Sequence, residues 1–365
     1  MRVFRLIDVK TKAVVQLANV HIADFEYIAL SYVWGSAQRL VMNRGNTDNL
    51  GEPGALSGTV SKTIEDAMSL TAMLGIQYIW VDALCILQDD PLDKSHQLPF
   101  MDQVYRYSQL TIIAAAGADA QAGLPGLSEP RALREHIIKV KDGTAESPDI
   151  HLAGALNIRP MWHSNCLFDT TWRTRGWTLQ EKAVSRRTLT FTPTQIYWHC
   201  REATWMEGIF SETSLVKPML YDSTMETEFL RINSKMGEAE TFDDSLESAW
   251  EQLRAQIVEF SARHLTNPGD ALDAFSAILQ EFRRTTGENF LWATPVTRFE
   301  LGLCWNQAAP IVQGASVGSP LARRTELTTL PTTSLGCRVP FPSWSWLGWM
   351  GGAEVCFTDR CREAG

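Results

Sequence analysis

The stretch YIWVDALCILQDD, residues 78–90, starts as a short apolar strand and is interrupted at Asp82, after which a cysteine, a glutamine and two more acids follow. An apolar run that ends so sharply is the pattern of a strand covered on both faces and emerging at its carboxyl end. The same texture occurs in YIALSYVWG, residues 27–35, and in LTIIAAA, residues 110–116. Between the first two of these strands, Thr63 can cap a helix with Asp66 as its partner. Ile64, Ala67, Met68 and Thr71 keep helical spacing, and Gly75 ends the helix. Leu98, Met101, Val104, Tyr105 and Ser108 mark a second helix. Apolar strands alternating with helices predict an α/β fold with a parallel-sheet core.

Farther along, RTLTF and QIYWHC flank the turn TPT, which predicts an antiparallel hairpin added to the sheet edge. The polar stretch from Phe210 to Thr241 is read as a boundary, giving units at 1–209 and 210–365. In the second unit Leu246, Trp250, Leu253, Ile257 and Phe260 recur at helical spacing. Leu272, Phe275, Leu279 and Phe282 do the same after a capping Asp270. The extension is therefore expected to be mainly helical, with a loop over 308–338 and a Trp-rich segment over 341–352. In that segment an extended chain would put Trp344 and Trp346 on one side and Ser343 and Ser345 on the other.

Composition narrows the function classes. A net charge of −9 without a basic stripe leaves no source of attraction to a nucleic-acid backbone. No apolar run approaches the roughly 20 residues of a membrane span, and the amino terminus lacks the pattern of a signal peptide. A cytoplasmic protein is the expectation. Seven scattered cysteines read as free thiols, and the pair Cys356 and Cys361 lacks the companions a zinc site needs. Dinucleotide-fold, P-loop, zincin and esterase-elbow motifs are missing.

Two segments hold the chemistry. Ligands bind outside the carboxyl ends of strands in open parallel sheets, so Asp82, Cys85, Gln88, Asp89 and Asp90 fall on a candidate rim. A carboxylate there can orient a sugar hydroxyl or act as a base; equally, Asp82 can cap the turn that follows. Cys85 reads as a buried thiol more readily than as a nucleophile. TWRTRGWTLQEKAVSRR, residues 171–187, brings Arg175, Trp177, Gln180 and Glu181 together in sequence. Arg175 can fork onto a phosphate or carboxylate, and Trp172 or Trp177 can stack on a ring. The plainer alternative is a buried Arg–Glu pair under tryptophans. Glu181 and Asp82 are the catalytic candidates, with Trp34, Cys85, Gln88, Asp89, Arg175, Trp177 and Gln180 around a substrate. The two acids are expected to share one cleft, where one of them should titrate high unless Arg175 separates them.

In their order along the chain, YIALSYVWG, LGIQYIWVDALCILQDD, MDQVYRYSQLTIIAAAGADAQAGLPG, WRTRGWTLQEKAVSRRTLTF and YWHC resemble the fungal heterokaryon incompatibility (HET) domain. The resemblance covers about residues 27–200, and the later FLWA, LGLCW and PSWSWLGW look like the extension that often follows it. HET domains are associated with cell death when unlike fungal strains fuse, and are distantly similar to TIR domains, some of which cleave NAD. The resemblance thus implies a TIR- or flavodoxin-like, doubly wound core. It also implies a self/non-self effector that takes NAD or a related nucleotide as substrate rather than cofactor, with Glu181 as the key carboxylate. Two other readings stand beside it: a HET-fold enzyme of fungal secondary metabolism acting on a hydrophobic small molecule, and a non-catalytic interaction module that assembles with itself or with a partner.

Overall fold

Eight strands form one sheet in the order β10-β9-β8-β5-β3-β4-β1-β2. They are β1 (Val3–Asp8), β2 (Ala13–Ala18), β3 (Tyr27–Tyr32), β4 (Tyr78–Trp80), β5 (Leu110–Ala114), β8 (Arg187–Phe191), β9 (Ile196–Cys200) and β10 (Thr204–Met206). A separate ribbon pairs β6 (His136–Ile138) with β7 (Leu156–Ile158). The computed structural model describes residues 1–36, 40–130, 136–138, 156–158, 167, 170–200, 203–206, 242–307, 321–329, 338–355 and 357.

The centre of the sheet is parallel. β3 pairs with β4 through Ile28 and Ile79 and with β5 through Leu30 and Ile112, and β5 pairs with β8 in the same sense. Every residue of β3 and β5 is buried, in keeping with their apolar sequences, and the burial takes in Ser31 and Thr111. Both edges are antiparallel. The predicted hairpin is β8–β9, with Phe191 opposite Ile196. At the other edge β1 runs against β4, and β2 folds back on β1. Sequence reading passed over that second hairpin.

Helices fill the connections: α1 (Thr47–Leu50), α2 (Lys62–Met73), α3 (Asp82–Cys85), α4 (Pro91–Gln97), α5 (Met101–Tyr107) and α6 (Gly176–Val184). Ser61, not Thr63, stands at the N-cap of α2; Thr63 lies one residue inside and its Oγ1 accepts from the Gly123 amide at 3.1 Å. Asp90 caps α4 by accepting from the Leu92 amide at 2.9 Å.

The C-terminal part has α7 (Phe242–Ser261), α8 (Ala271–Thr286) and α9 (Phe299–Leu303), with two-stranded ribbons such as Ala322–Arg323 against Trp349–Met350. Asp270 occupies the N-cap of α8, but its side chain does not cap; it accepts from Asn267 Nδ2 at 2.6 Å. The Trp-rich segment does not alternate as an extended chain would. Ser345 is as buried as Trp346 and bonds the Trp292 carbonyl and the Leu347 amide, because the chain turns into a short 3₁₀ helix there. Trp346 is a core residue, edge-on to both Phe260 and Phe275. Short strands occupy 322–323 and 327–329 within the predicted loop; 308–320, 330–337, the boundary 210–241 and Cys356 and Cys361 lie outside the described residues. Among the described residues no helix is long and apolar enough to cross a membrane.

Two large hydrophobic cores result, besides a small cluster of Val33, Ile113, Ala115, Leu167 and Trp172. One lies on the sheet beneath α2–α5, the other among α7, α8 and the ribbons. They meet at α6, where Val184 belongs to the first, Leu179 to the second, and Trp177 packs against both.

Just past β3 the chain turns at Gly35, whose φ is +58°, and a Cβ there would stand 2.4 Å from Asp119 Cβ. Left-handed strain and that clash act together, so Gly35→Ala should lower stability by about 1–3 kcal/mol. Urea unfolding of the variant beside wild type measures it; equal midpoints would show that the loop absorbs the change.

Candidate functional site

Three of the chain connections end at one place on the carboxyl edge of the sheet. β3 and the residues just past it deliver Ser31, Tyr32 and Trp34, the end of β4 delivers Asp82, and α6 delivers Arg175 from its N-cap and Glu181 from its second turn. This edge lies where β4 and β5 flank β3 on opposite sides, the position at which open α/β sheets leave a crevice.

Glu181 is 7% exposed and sits on the face of α6 turned toward β3. The Ser31 hydroxyl donates to its Oε2, and the Trp172 indole donates to Ser31 Oγ at 2.7 Å. Burial pushes the carboxyl up to about 7; Ser31, Arg175 and Tyr105 pull the other way, while the Asp82 charge adds to the rise. Asp82 is half-buried and its Oδ1 and Oδ2 each lie 3.0 Å from the donating Trp34 Nε1. Its Oδ1 also takes the Ala83 amide at 2.7 Å. Burial raises it above the ordinary aspartate range, held in check by Arg175 and these donors. Arg175 donates from Nη1 to the Tyr32 carbonyl at 2.7 Å, and its charge favours the ionised form of both acids.

The remaining candidates face elsewhere. Cys85 is fully buried, its Sγ accepts from the Val81 amide, and burial lifts its thiol to about 12, which disqualifies it as a nucleophile. Gln88 ties its own loop together through the Asp82 and Ile86 carbonyls. Asp89 is exposed and accepts from the Arg44 amide. Gln180 points to the far side of α6, where its Oε1 accepts from the Ala277 amide at 3.2 Å. Trp177 turns to the same side and bonds Asp270. Consecutive helical residues lie about 100° apart, so Glu181 and Gln180 were bound to diverge.

Sequence reasoning missed Ser31 and Tyr105 and cast Trp172 only as a stacking surface. The signal for Ser31 was a lone hydroxyl inside the otherwise apolar YIALSYVW, since a buried polar group requires a partner.

The C-terminal helices grip α6 from behind. Arg263 donates to the Arg175 carbonyl at 3.2 Å and to Thr178 Oγ1 at 3.0 Å, and pairs with Glu259, which also takes Arg173 Nε at 3.2 Å. Burial opposes the Glu259 charge, but the two arginines overcome it and hold the acid at about 2. Gly176 permits this approach: a Cβ there would lie 2.5 Å from Leu265 Cδ2.

Fold and site together define an α/β protein whose carboxyl sheet edge gathers two carboxylates and an arginine around a central strand. Residues 27–181, which contain all of these groups, match the family model described as Heterokaryon incompatibility protein (HET). Over that span the chain is similar to HET domains. Among curated proteins it is similar to "Heterokaryon incompatibility protein 6, OR allele" of Neurospora crassa, 27% identical over 192 residues. That match covers 45% of this chain and 28% of the relative. No solved structure matches the chain.

Because Glu181 titrates near 7 when folded and near 4.5 when exposed, the native state keeps a proton that the unfolded chain has already released between those values. Its contribution to stability is therefore lost as pH rises through that window. Glu181→Gln, permanently neutral, should gain roughly 2–3 kcal/mol over wild type at pH 8 and little at pH 4.5. Denaturant unfolding at the two pH values measures the difference. An equal gain at both would mean that Glu181 titrates normally.

Proposed function

We propose that this domain hydrolyses the N-glycosidic bond of NAD or a related nucleotide, as the chemical arm of a fungal self/non-self response. The observation that carries the reading is the buried Glu181, poised near neutral pH beside Asp82 and Arg175 at the sheet's carboxyl edge. The strand order of the parallel core, in which β4 and β5 flank β3, is the one found in flavodoxin-like doubly wound sheets. The relative's name, heterokaryon incompatibility, supplies the biological setting.

The chemistry suits the groups. Breaking the bond between ribose C1′ and the pyridinium nitrogen releases a neutral nicotinamide and leaves positive charge on the ribosyl ring. Two nearby carboxylates stabilise that charge as it develops. Water then adds at C1′, and the ionised fraction of Glu181 takes the proton water gives up, a role in which a pKa near the working pH is best. Asp82, fixed by Trp34, orients a ribose hydroxyl, and the free edge of the Arg175 guanidinium meets the diphosphate.

Expression in yeast with nucleotide pools followed by mass spectrometry tests the proposal. Wild type should deplete NAD and arrest growth. Glu181→Gln and Asp82→Asn should slow depletion about 10²–10⁴-fold while remaining folded, and Asp89→Asn, on its exposed turn, should behave as wild type. Arrest that persists in folded Glu181→Gln cells, or intact nucleotide pools in arrested cells, would overturn hydrolysis and favour action by assembly with a partner.

A further inference from the structure

The hydrogen bonds around Glu181 have a fixed direction. An indole N–H can only donate, so at 2.7 Å Trp172 Nε1 makes Ser31 Oγ an acceptor. A serine hydroxyl has a single hydrogen, and the remaining partner of Ser31 Oγ is Glu181 Oε2. Ser31 is 1% exposed on the central strand and Trp172 is 2% exposed, so bulk water does not compete for either group. Were Oε2 itself protonated, Ser31 Oγ could accept from it only by leaving its own hydrogen without a partner among the described residues, so Oε2 accepts in both charge states of Glu181. We propose that Ser31, aligned by Trp172, is a positioning residue that confines the exchangeable proton of Glu181 to Oε1.

The other groups facing this carboxyl do not provide a second fixed donor of the same kind. From α5, the Tyr105 hydroxyl also reaches this carboxyl and favours its ionised form, but it lies 3.2 Å from the Leu30 carbonyl as well, so its hydrogen can turn to either acceptor. Asp82, at the end of β4, brings only negative charge, and Arg175, at the start of α6, acts through its charge while bonded to the Tyr32 carbonyl. The relay therefore decides which of two chemically equal oxygens is the acid/base. Its catalytic meaning rests on the hydrolytic reading above, whereas its effect on titration does not.

Threonine and valine have nearly the same shape, so Ser31→Thr and Ser31→Val share any packing cost and differ in the hydroxyl alone. The titration of Glu181 can be followed without substrate by carbon-13 resonances of the full chain labelled at glutamate, with Glu181→Gln assigning the signal. Loss of the donor should move the Glu181 midpoint upward by about one pH unit in the valine variant, with threonine close to wild type. Trp172→Phe should shift it in the same direction by less, since the serine can still donate once released. Where depletion of NAD is observed, the pH profile of its rate should move with the midpoint. Identical midpoints for threonine and valine would overturn the proposal. A wild type that depletes no nucleotide would instead overturn the hydrolytic reading and leave the titration result standing.

Discussion

Glu181 occupies the one short helix that two hydrophobic cores share, and the rest of the site follows from its burial. A carboxylate removed from water either finds donors or takes up a proton. Here both happen in part: Ser31 satisfies one oxygen, and the other environment lifts the group toward neutrality. The same helix presents its opposite face to α8 through Gln180 and Leu179. Neither face of α6 can be altered without disturbing the other.

The contrast between Glu181 and Glu259 shows how environment assigns roles to identical residues. Both are buried. Glu259 has two arginines in contact and stays ionised, serving as a tie between α7 and the segment before α6. Glu181 has a serine and a more distant positive charge, which is too little to offset desolvation fully. A buried ion pair gives a strut, while a buried acid whose direct donors are neutral hydroxyls remains responsive to protons.

Much of this was legible in the residues, and the gaps have physical causes. The parallel strands could be read because β3 and β5 are covered on both faces and need apolar residues throughout. The β1–β2 hairpin escaped notice because Arg5 lies within VFRLID, and only the fold reveals that Asp93 receives its guanidinium. Asp82 and Arg175 stood out as polar groups at element ends, and Glu181 as the acid of a segment dense in tryptophan and arginine. Gln180 is adjacent to Glu181 in sequence but turns away, since neighbours on a helix face different directions, while Cys85 is buried with its sulfur on the Val81 amide. Ser31 and Tyr105 contact the carboxyl from elements far away along the chain, and that information exists only in three dimensions.

The clasp of Arg263 on the carbonyl of Arg175 also sets an order of events at the ribosome. Synthesis delivers the strands and α6 well before α7 and α8, and amino-terminal segments begin to fold as they emerge. During that interval Arg263, Ala277 and the second core are not yet there to hold Thr178, Gln180 and Leu179, so the helix bearing Glu181 is seated by its sheet-side contacts alone. The reactive arrangement is thus completed only when the last long helices dock. A nascent or truncated chain carries every residue of the acid pair and its arginine without the helices that clasp α6 from behind.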